Sequence, residues 1–139
     1  MTLKARSAAT FAGTIAVLLA LLPDPALAWR AINRTEVNPV RKGVFEVIPH
    51  GRSGAQQFWC GAGDYARVVL RVAATQRVYI WRAIGPSETR PGAKSVQFAL
   101  SPPPGKENYK PGYSLSVKAE GDSLDAFTAQ RYCGSGSPF

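Results

Sequence analysis

The sequence predicts an α+β fold: an antiparallel sheet of about five strands with one long helix against one face, two-layered and ordered ββαβββ. Three observations indicate it. Apolar residues recur at helical spacing after Ser53, three later segments alternate between apolar and polar residues, and two cysteines lie far apart in the chain.

Two strands are predicted first, Trp29 to Val37 and Val44 to Ile48, joined by a turn from Asn38 to Gly43. The second strand is β-branched and aromatic. It is bounded by Gly43 and Pro49, which is typical of strand ends.

The long helix is predicted over Ser53 to Ala73. Ser53 and Gln56 have the spacing of a capping box. One face then carries apolar side chains: Phe58, Ala62, Tyr65, Ala66, Val69, Leu70 and Ala73. Gly61 and Gly63 each disfavour a helix by about 1 kcal/mol, so they indicate either a close backbone approach or a break. A break would favour the alternative fold, a small disulfide-bonded β-sandwich or barrel.

Three further strands are predicted over Arg77 to Ile84, Ser95 to Leu100 and Ser114 to Ala119. Each places aliphatic side chains on one face and polar or large aromatic ones on the other, as in a sheet with one covered and one open face. Leu124 to Cys133 fits either a strand or a short helix capped by Asp122, and we favour the helix. The residues from Gly134 to Phe139 are predicted to form a loose tail.

The first 28 residues have the pattern of a secretory signal peptide. Lys4 and Arg6 precede an apolar run from Ala8 to Leu22, and Ala26-Leu27-Ala28 provides a small-x-small cleavage site. A membrane-spanning helix needs about 20 apolar residues, more than this run provides. We therefore expect cleavage after Ala28, a single domain over 29–139 with no integral membrane span after cleavage, and a periplasmic or secreted location.

The two cysteines are expected to form a disulfide, because paired cysteines are usual in exported proteins. Closing a loop this long contributes about 4 kcal/mol in the chain-entropy model. Cys60 falls on the polar side of the predicted helix, with Asp64 and Arg67. Its partner Cys133 should therefore bring the C-terminal segment across the side of the helix that faces away from the sheet.

The sequence offers little for catalysis. His50 is the single histidine, and no cluster of metal-ligand residues is visible, so we expect neither a metal nor a cofactor. A Cys60–His50 nucleophile would require the disulfide to be absent. A set of His50 with Ser53 or Ser87 and Asp64 lacks the G-x-S-x-G motif.

The best candidate site is the open face of the sheet, where Arg77, Tyr79 and Trp81 project together and Lys118 could join them. Aromatic and basic side chains on such a face stack on sugars or bases and bind anions. Ordinary cross-strand packing of large side chains is the alternative explanation. The turn region GPSETRPG, with Ser87, Thr89 and Arg90, is a second candidate surface.

The string QQFWCGAGDYA over Gln56 to Ala66, followed by RVYIWRAIGPSETRPG, resembles small exported proteins of Gram-negative bacteria that have no assigned activity. The resemblance implies an envelope location and the Cys60–Cys133 pairing. It implies no catalytic or ligand-binding residues.

These observations favour a non-enzymatic periplasmic or secreted protein that binds a macromolecular partner, such as an envelope protein or an anionic envelope polymer. The formal net charge of +8 suits an anionic partner, although a basic surface also serves solubility. A protein inhibitor is one form of this hypothesis. The alternatives are a small secreted hydrolase that uses His50 with a serine, and a structural component of the envelope.

Overall fold

The structure, a computed structural model, describes residues 28–134. The predicted signal segment up to Leu27 and the tail from Ser135 onward lie outside the described residues. The elements are β1 (Trp29–Arg30), β2 (Glu36–Arg41), β3 (Val44–Ile48), α1 (Ala55–Val68), β4 (Arg77–Pro86), β5 (Lys94–Ala99), β6 (Ser123–Asp125) and α2 (Ala126–Arg131). The strands form one six-stranded sheet in the order β1-β2-β3-β5-β4-β6, and every neighbouring pair is antiparallel. The antiparallel sheet and its long helix are therefore confirmed, in a fold that is broadly α+β or mostly β rather than the predicted two-layer ββαβββ arrangement.

The first predicted strand, Trp29 to Val37, is wrong because the chain reverses within it. Arg34 adopts a left-handed conformation with φ 68°, and the Ala31 amide donates to Thr35 O at 2.9 Å. This reversal separates β1 from β2, whose pairing aligns Trp29 with Val37. The next turn is also shorter than predicted, because β2 and β3 stay paired as far as Arg41 and Val44.

The long helix is confirmed and continues through both glycines. Its N-cap is Gly54, one residue after the predicted Ser53, and the Gly54 amide donates to Gln57 Oε1 at 2.8 Å. The helix ends at Val68, earlier than the predicted Ala73. There Arg71 takes a left-handed φ of 54° and the Val72 amide reaches back to Ala66 O at 3.0 Å, a geometry that closes a helix C-terminus.

The hydrophobic core lies between α1 and one face of the sheet. Its largest side chains come from the helix and from β3, β4 and β5: Phe58, Trp59, Tyr65, Phe45, Val47, Val78, Ile80, Val96 and Phe98. The rings interlock; for example, Trp59 meets Phe98 edge-to-face at 5.1 Å between centroids. α1 thus fixes the three central strands against a common surface.

Gly61 and Gly63 allow α1 to touch two neighbours at once. A β-carbon at Gly61 would lie 2.7 Å from Val47 Cγ1, on the sheet, whereas one at Gly63 would lie 2.8 Å from Ala129 Cβ, on α2. The helix therefore runs between the sheet on one side and α2 on another. These close approaches explain why two glycines occur within a helix despite their low helix propensity.

The predicted disulfide is present. Cys60 and Cys133 are joined with a Cα–Cα distance of 4.8 Å, which attaches the end of α2 to the middle of α1. The predicted helix within Leu124 to Cys133 is also present, preceded by the short strand β6. Its N-cap is Asp125 rather than Asp122: the Asp125 carboxylate accepts hydrogen bonds from the Thr128 amide and hydroxyl, both at 2.8 Å.

The predicted strand over Ser114 to Ala119 is wrong. Val117 is buried as expected, but the segment bonds to the sheet at one point, where the Ile84 amide donates to Val117 O at 3.0 Å. Register shifts on either side of Arg82 interrupt the regular spacing of backbone groups along β4. β6 pairs with the regular part of β4 instead, from Arg77 to Tyr79. The order of elements consequently differs from the predicted ββαβββ.

Candidate functional site

The four residues predicted to form an open-face site do not come together. Arg77 and Tyr79 share the face of β4 that carries their β6 partners, Asp125 and Ser123. Arg77 is bound there: its Nε donates to Ser123 Oγ and its Nη2 to Ser123 O, both at 2.9 Å. Trp81 lies at a register shift of β4, where strict alternation stops. Lys118 lies apart from them, beside the N-terminus of α1.

The face predicted to be open is covered over its centre. Ser95, Gln97 and Ala99 of β5, which alternation placed outside, are at most 2% exposed. So is Glu46 of β3, which is paired with Gln97 and fully buried. The turn predicted as the second candidate surface, residues 85–92, lies against this face, where its side chains contact Glu46 of β3 and Glu36 of β2.

Glu46 holds this turn in place. Its carboxylate accepts hydrogen bonds from the Ser87 hydroxyl at 2.6 Å, the Thr89 amide at 2.9 Å and the Ser95 hydroxyl at 2.8 Å, and from the Thr89 hydroxyl. Burial by itself would raise the pKa of Glu46, but the hydroxyl and amide donors outweigh it and lower the pKa to about 2. Glu46 is therefore ionised at neutral pH.

Ion pairs attach the same turn to the sheet from outside. Arg90 Nη1 lies 3.0 Å from Glu36 Oε2, and Arg41 Nη2 lies 3.1 Å from Glu88 Oε1. Ser87, Thr89 and Arg90 are thus all engaged within the protein. The turn has a structural role in this fold, and its polar side chains are committed to Glu46 and Glu36.

The structure commits two members of the possible Ser-His-Asp set to other contacts. Asp64 accepts from the Ile32 amide at 3.0 Å and from Gln130 Nε2 at 3.2 Å, while Ser87 donates to Glu46. His50 is exposed in the connection between β3 and α1, and Ser53 is partly buried close to the helix start. The described residues contain no group of three or more His, Cys, Asp or Glu side chains placed to hold a metal ion.

A groove at the N-terminal end of α1 is the best candidate site. It consists of three hollows of about 710, 390 and 400 Å³ that share lining residues, and Ile84 of β4 lines all three. We call it the Ile84 groove. The end of β3 and the helix start form one wall, residues 84–94 form another, and residues 114–118 close the third side.

The Ile84 groove has an apolar floor and a basic rim. Ile84 is 38% exposed, and Phe58, Ile48, Leu115 and Val117 lie around it. Three cationic side chains also line the groove: Arg52, Lys94 and Lys118. No aspartate or glutamate is among the described residues that line these three hollows. The groove is therefore suited to a ligand that carries both apolar and negatively charged groups.

Sequence reasoning singled out Lys118, Ser53 and the ends of the GPSETRPG turn, all of which line this groove, but it assigned them to three separate sites. Arg52 and Lys94 stand 42 positions apart in the chain with no motif around either one. The groove exists because the turn after β3, the end of β4 and the irregular segment 114–118 meet at the start of α1. Local sequence patterns do not predict that these three segments lie next to one another.

A smaller basic hollow lies elsewhere, between the β2–β3 turn and the end of α1. It has a volume of about 480 Å³ and includes Lys42, Tyr65 and Leu70.

Within residues 28–134, no helix is both long and apolar enough to cross a membrane. Comparison with protein-family models, with curated proteins and with solved structures finds no match to this chain.

Proposed function

We propose that this protein is an exported, non-enzymatic binding protein that holds a negatively charged macromolecular partner in the Ile84 groove. The single observation that carries the proposal is the composition of the groove: an apolar floor with Arg52, Lys94 and Lys118 around it and no acidic lining residue in the described part of the chain. Charge of one sign around a groove attracts and orients ligands of the opposite sign.

Export is supported by the disulfide and by the position of Trp29. The Cys60–Cys133 bond suits an oxidising compartment. Trp29, the first residue after the proposed cleavage site, already pairs with Val37 in the sheet, and its ring meets Tyr65 at 5.6 Å between centroids. We expect N-terminal sequencing of the protein isolated from the cell envelope to begin at Trp29. A chain that retains residues 1–28 would contradict the proposed processing.

Photo-crosslinking in cells of the source organism tests the binding function. A benzoylphenylalanine placed at Ile84 should give a discrete adduct with an envelope component, because Ile84 lies at the centre of the groove and is partly exposed. The matched control carries the same group at Lys42, in the separate hollow. An adduct from position 84 that is absent from position 42 supports the proposal. Equal labelling from the two positions, or none from position 84, overturns it.

A further inference from the structure

We propose that the Ile84 groove binds an extended peptide segment in which acidic side chains flank a bulky apolar side chain. This inference rests on the proposed function and specifies the chemical class of the partner. It concerns a segment of another protein rather than a lipid or a polysaccharide.

The floor of the groove indicates one bulky apolar side chain. Ile84 and Phe58 both line the largest hollow and the hollow bounded by residues 114–118. Phe58 is fixed in the core at 1% exposure, whereas Ile84 remains 38% exposed. An apolar side chain placed against Ile84 would complete its burial without moving the core, which is the behaviour of a preformed pocket for an anchor residue.

The rim indicates acidic groups on both sides of that anchor. Arg52 lies on the β3–α1 connection, Lys94 at the start of β5, and Lys118 on the segment opposite, so the three cations belong to three different walls. The N-cap of α1, Gly54, makes no side-chain cap hydrogen bond and also lines the groove. Its position adds the positive end of the helix dipole to the field of the three cations.

The polar part of the lining favours a peptide over an acyl chain. Ser53, Ser114 and Ser116 line the groove together with Gly51 and Gly54, beside its apolar residues. An acyl chain would cover these polar groups without offering them hydrogen bonds, which is unfavourable. A peptide can offer such groups amides and carbonyls as hydrogen-bond partners. The Ile84 amide is already bonded to Val117 O at 3.0 Å, so we infer recognition through side chains rather than through addition of a strand at this position.

The test uses an array of acetylated decapeptides with a central Leu, Ile, Phe or Trp between pairs of Glu or Asp. One control set replaces the acidic residues by Gln or Asn, and another replaces the central residue by Ser. We expect the purified protein to bind the first set more strongly than either control set. The best peptide is then labelled with fluorescein, and its affinity is measured by anisotropy at increasing salt, where binding should weaken because the rim charges are exposed.

Variants of the groove identify the binding site. Arg52→Glu and Lys94→Glu should each weaken the labelled peptide about tenfold, since an exposed attraction becomes a repulsion. Lys42→Glu makes the same change of charge in the separate hollow and should leave affinity within about twofold. Arg52→Gln, which removes a charge, and Ile84→Ser, which removes the apolar anchor contact, should each also weaken the labelled peptide. A thermal unfolding scan of each variant verifies that it is folded.

Three outcomes overturn the inference: no binding by the acidic set, equal binding by the control sets, or affinity that the groove variants leave unchanged. Stronger groove-dependent binding to phosphatidylglycerol vesicles than to the best peptide also overturns it, in favour of a lipid. If a peptide preference is absent while the adduct at position 84 persists, the proposed function stands and only the partner class is wrong. If the adduct is absent as well, the proposed function fails too.

Discussion

Glu46 is a buried charge that attaches the turn over residues 85–92 to the sheet. Its side chain is fully buried, and its carboxylate accepts from the hydroxyls of Ser87, Thr89 and Ser95 and from the Thr89 amide. A buried charge without partners would be strongly unfavourable, so Glu46 requires these donors and the turn requires Glu46. Ser95 and Gln97 are buried on the same face. Glu46 therefore joins the turn to the part of that face that carries Ser95.

Glu46→Gln tests this dependence. The amide has one acceptor oxygen and adds an NH₂ group that faces hydroxyl and amide donors, so buried hydrogen bonds are lost. We expect the free energy of unfolding to fall by about 2–4 kcal/mol, measured by urea denaturation. Glu120→Gln changes the same functional group at an exposed position and should have an effect within about 0.5 kcal/mol. Equal stabilities of the two variants would show that Glu46 does not hold the turn.

The lowered pKa of Glu46 also predicts a dependence of stability on pH. The folded pKa is about 2 and the unfolded value is the ordinary 4.5, so the folded state favours the ionised form. The resulting stabilisation is complete above the unfolded pKa and is lost as pH falls from about 4.5 towards 2, by about 3 kcal/mol in total.

The Glu46→Gln variant isolates this contribution, because Asp125 also has a pKa lowered by its bonds to Thr128, which outweigh burial, and titrates in the same direction. Urea midpoints of wild type and variant should converge between pH 4.5 and 2. A constant difference across that range would contradict the shift assigned to Glu46.

At the scale of elements, the position of α1 is determined by the close contacts at its two glycines. Gly63 meets α2 and Gly61 meets β3, so the helix lies closer to both than any side chain would permit. This spacing also places Cys60 where Cys133 can reach it. The glycines are thus required for packing although they weaken the helix itself.

Gly63→Ala tests the helix contact. Alanine favours a helix by about 1 kcal/mol, but its β-carbon would lie 2.7 Å from the backbone carbon of Ala129, which only a movement of α2 can relieve. We expect a net loss of about 1–3 kcal/mol in urea denaturation. At Gly112 a β-carbon would meet nothing within 4 Å, so Gly112→Ala is the matched control and should be close to neutral. A stabilising Gly63→Ala would mean that α2 is not in close contact with α1.

The same elements show which features a sequence can predict. α1, β4 and β5 were predicted because each has a strong local period, and β3 because it is β-branched and aromatic between Gly43 and Pro49. The disulfide was predicted because the chain has only two cysteines. Ser114 to Ala119 has an equally regular period but forms no strand, since pairing depends on the irregular β4 edge. The reversal at Arg34 has no glycine to indicate it. The Ile84 groove was missed because it is formed by segments distant in sequence.

At the scale of the whole molecule, the disulfide connects the core to the last described element. Cys60 is 1% exposed at the centre of α1, and Cys133 follows α2, 73 positions later. Between them lie β4, β5, the turn over residues 85–92 and β6, so the bond encloses most of the residues that shape the groove. Opening it frees this long segment only in the unfolded chain, where the added conformational freedom lowers the stability of the fold.

The double variant Cys60→Ala, Cys133→Ala measures that contribution. We expect a loss of about 4 kcal/mol in the free energy of unfolding, because the closed loop spans 73 positions. For a domain of this size such a loss is a large share of the total, so the variant should unfold at markedly lower urea concentration. Wild type with a strong reductant present throughout denaturation is the control, and it should unfold near the midpoint of the double variant, because reduction on unfolding removes the same crosslink. A double variant as stable as the oxidised wild type would show that packing of α2 on α1 alone holds the two ends together.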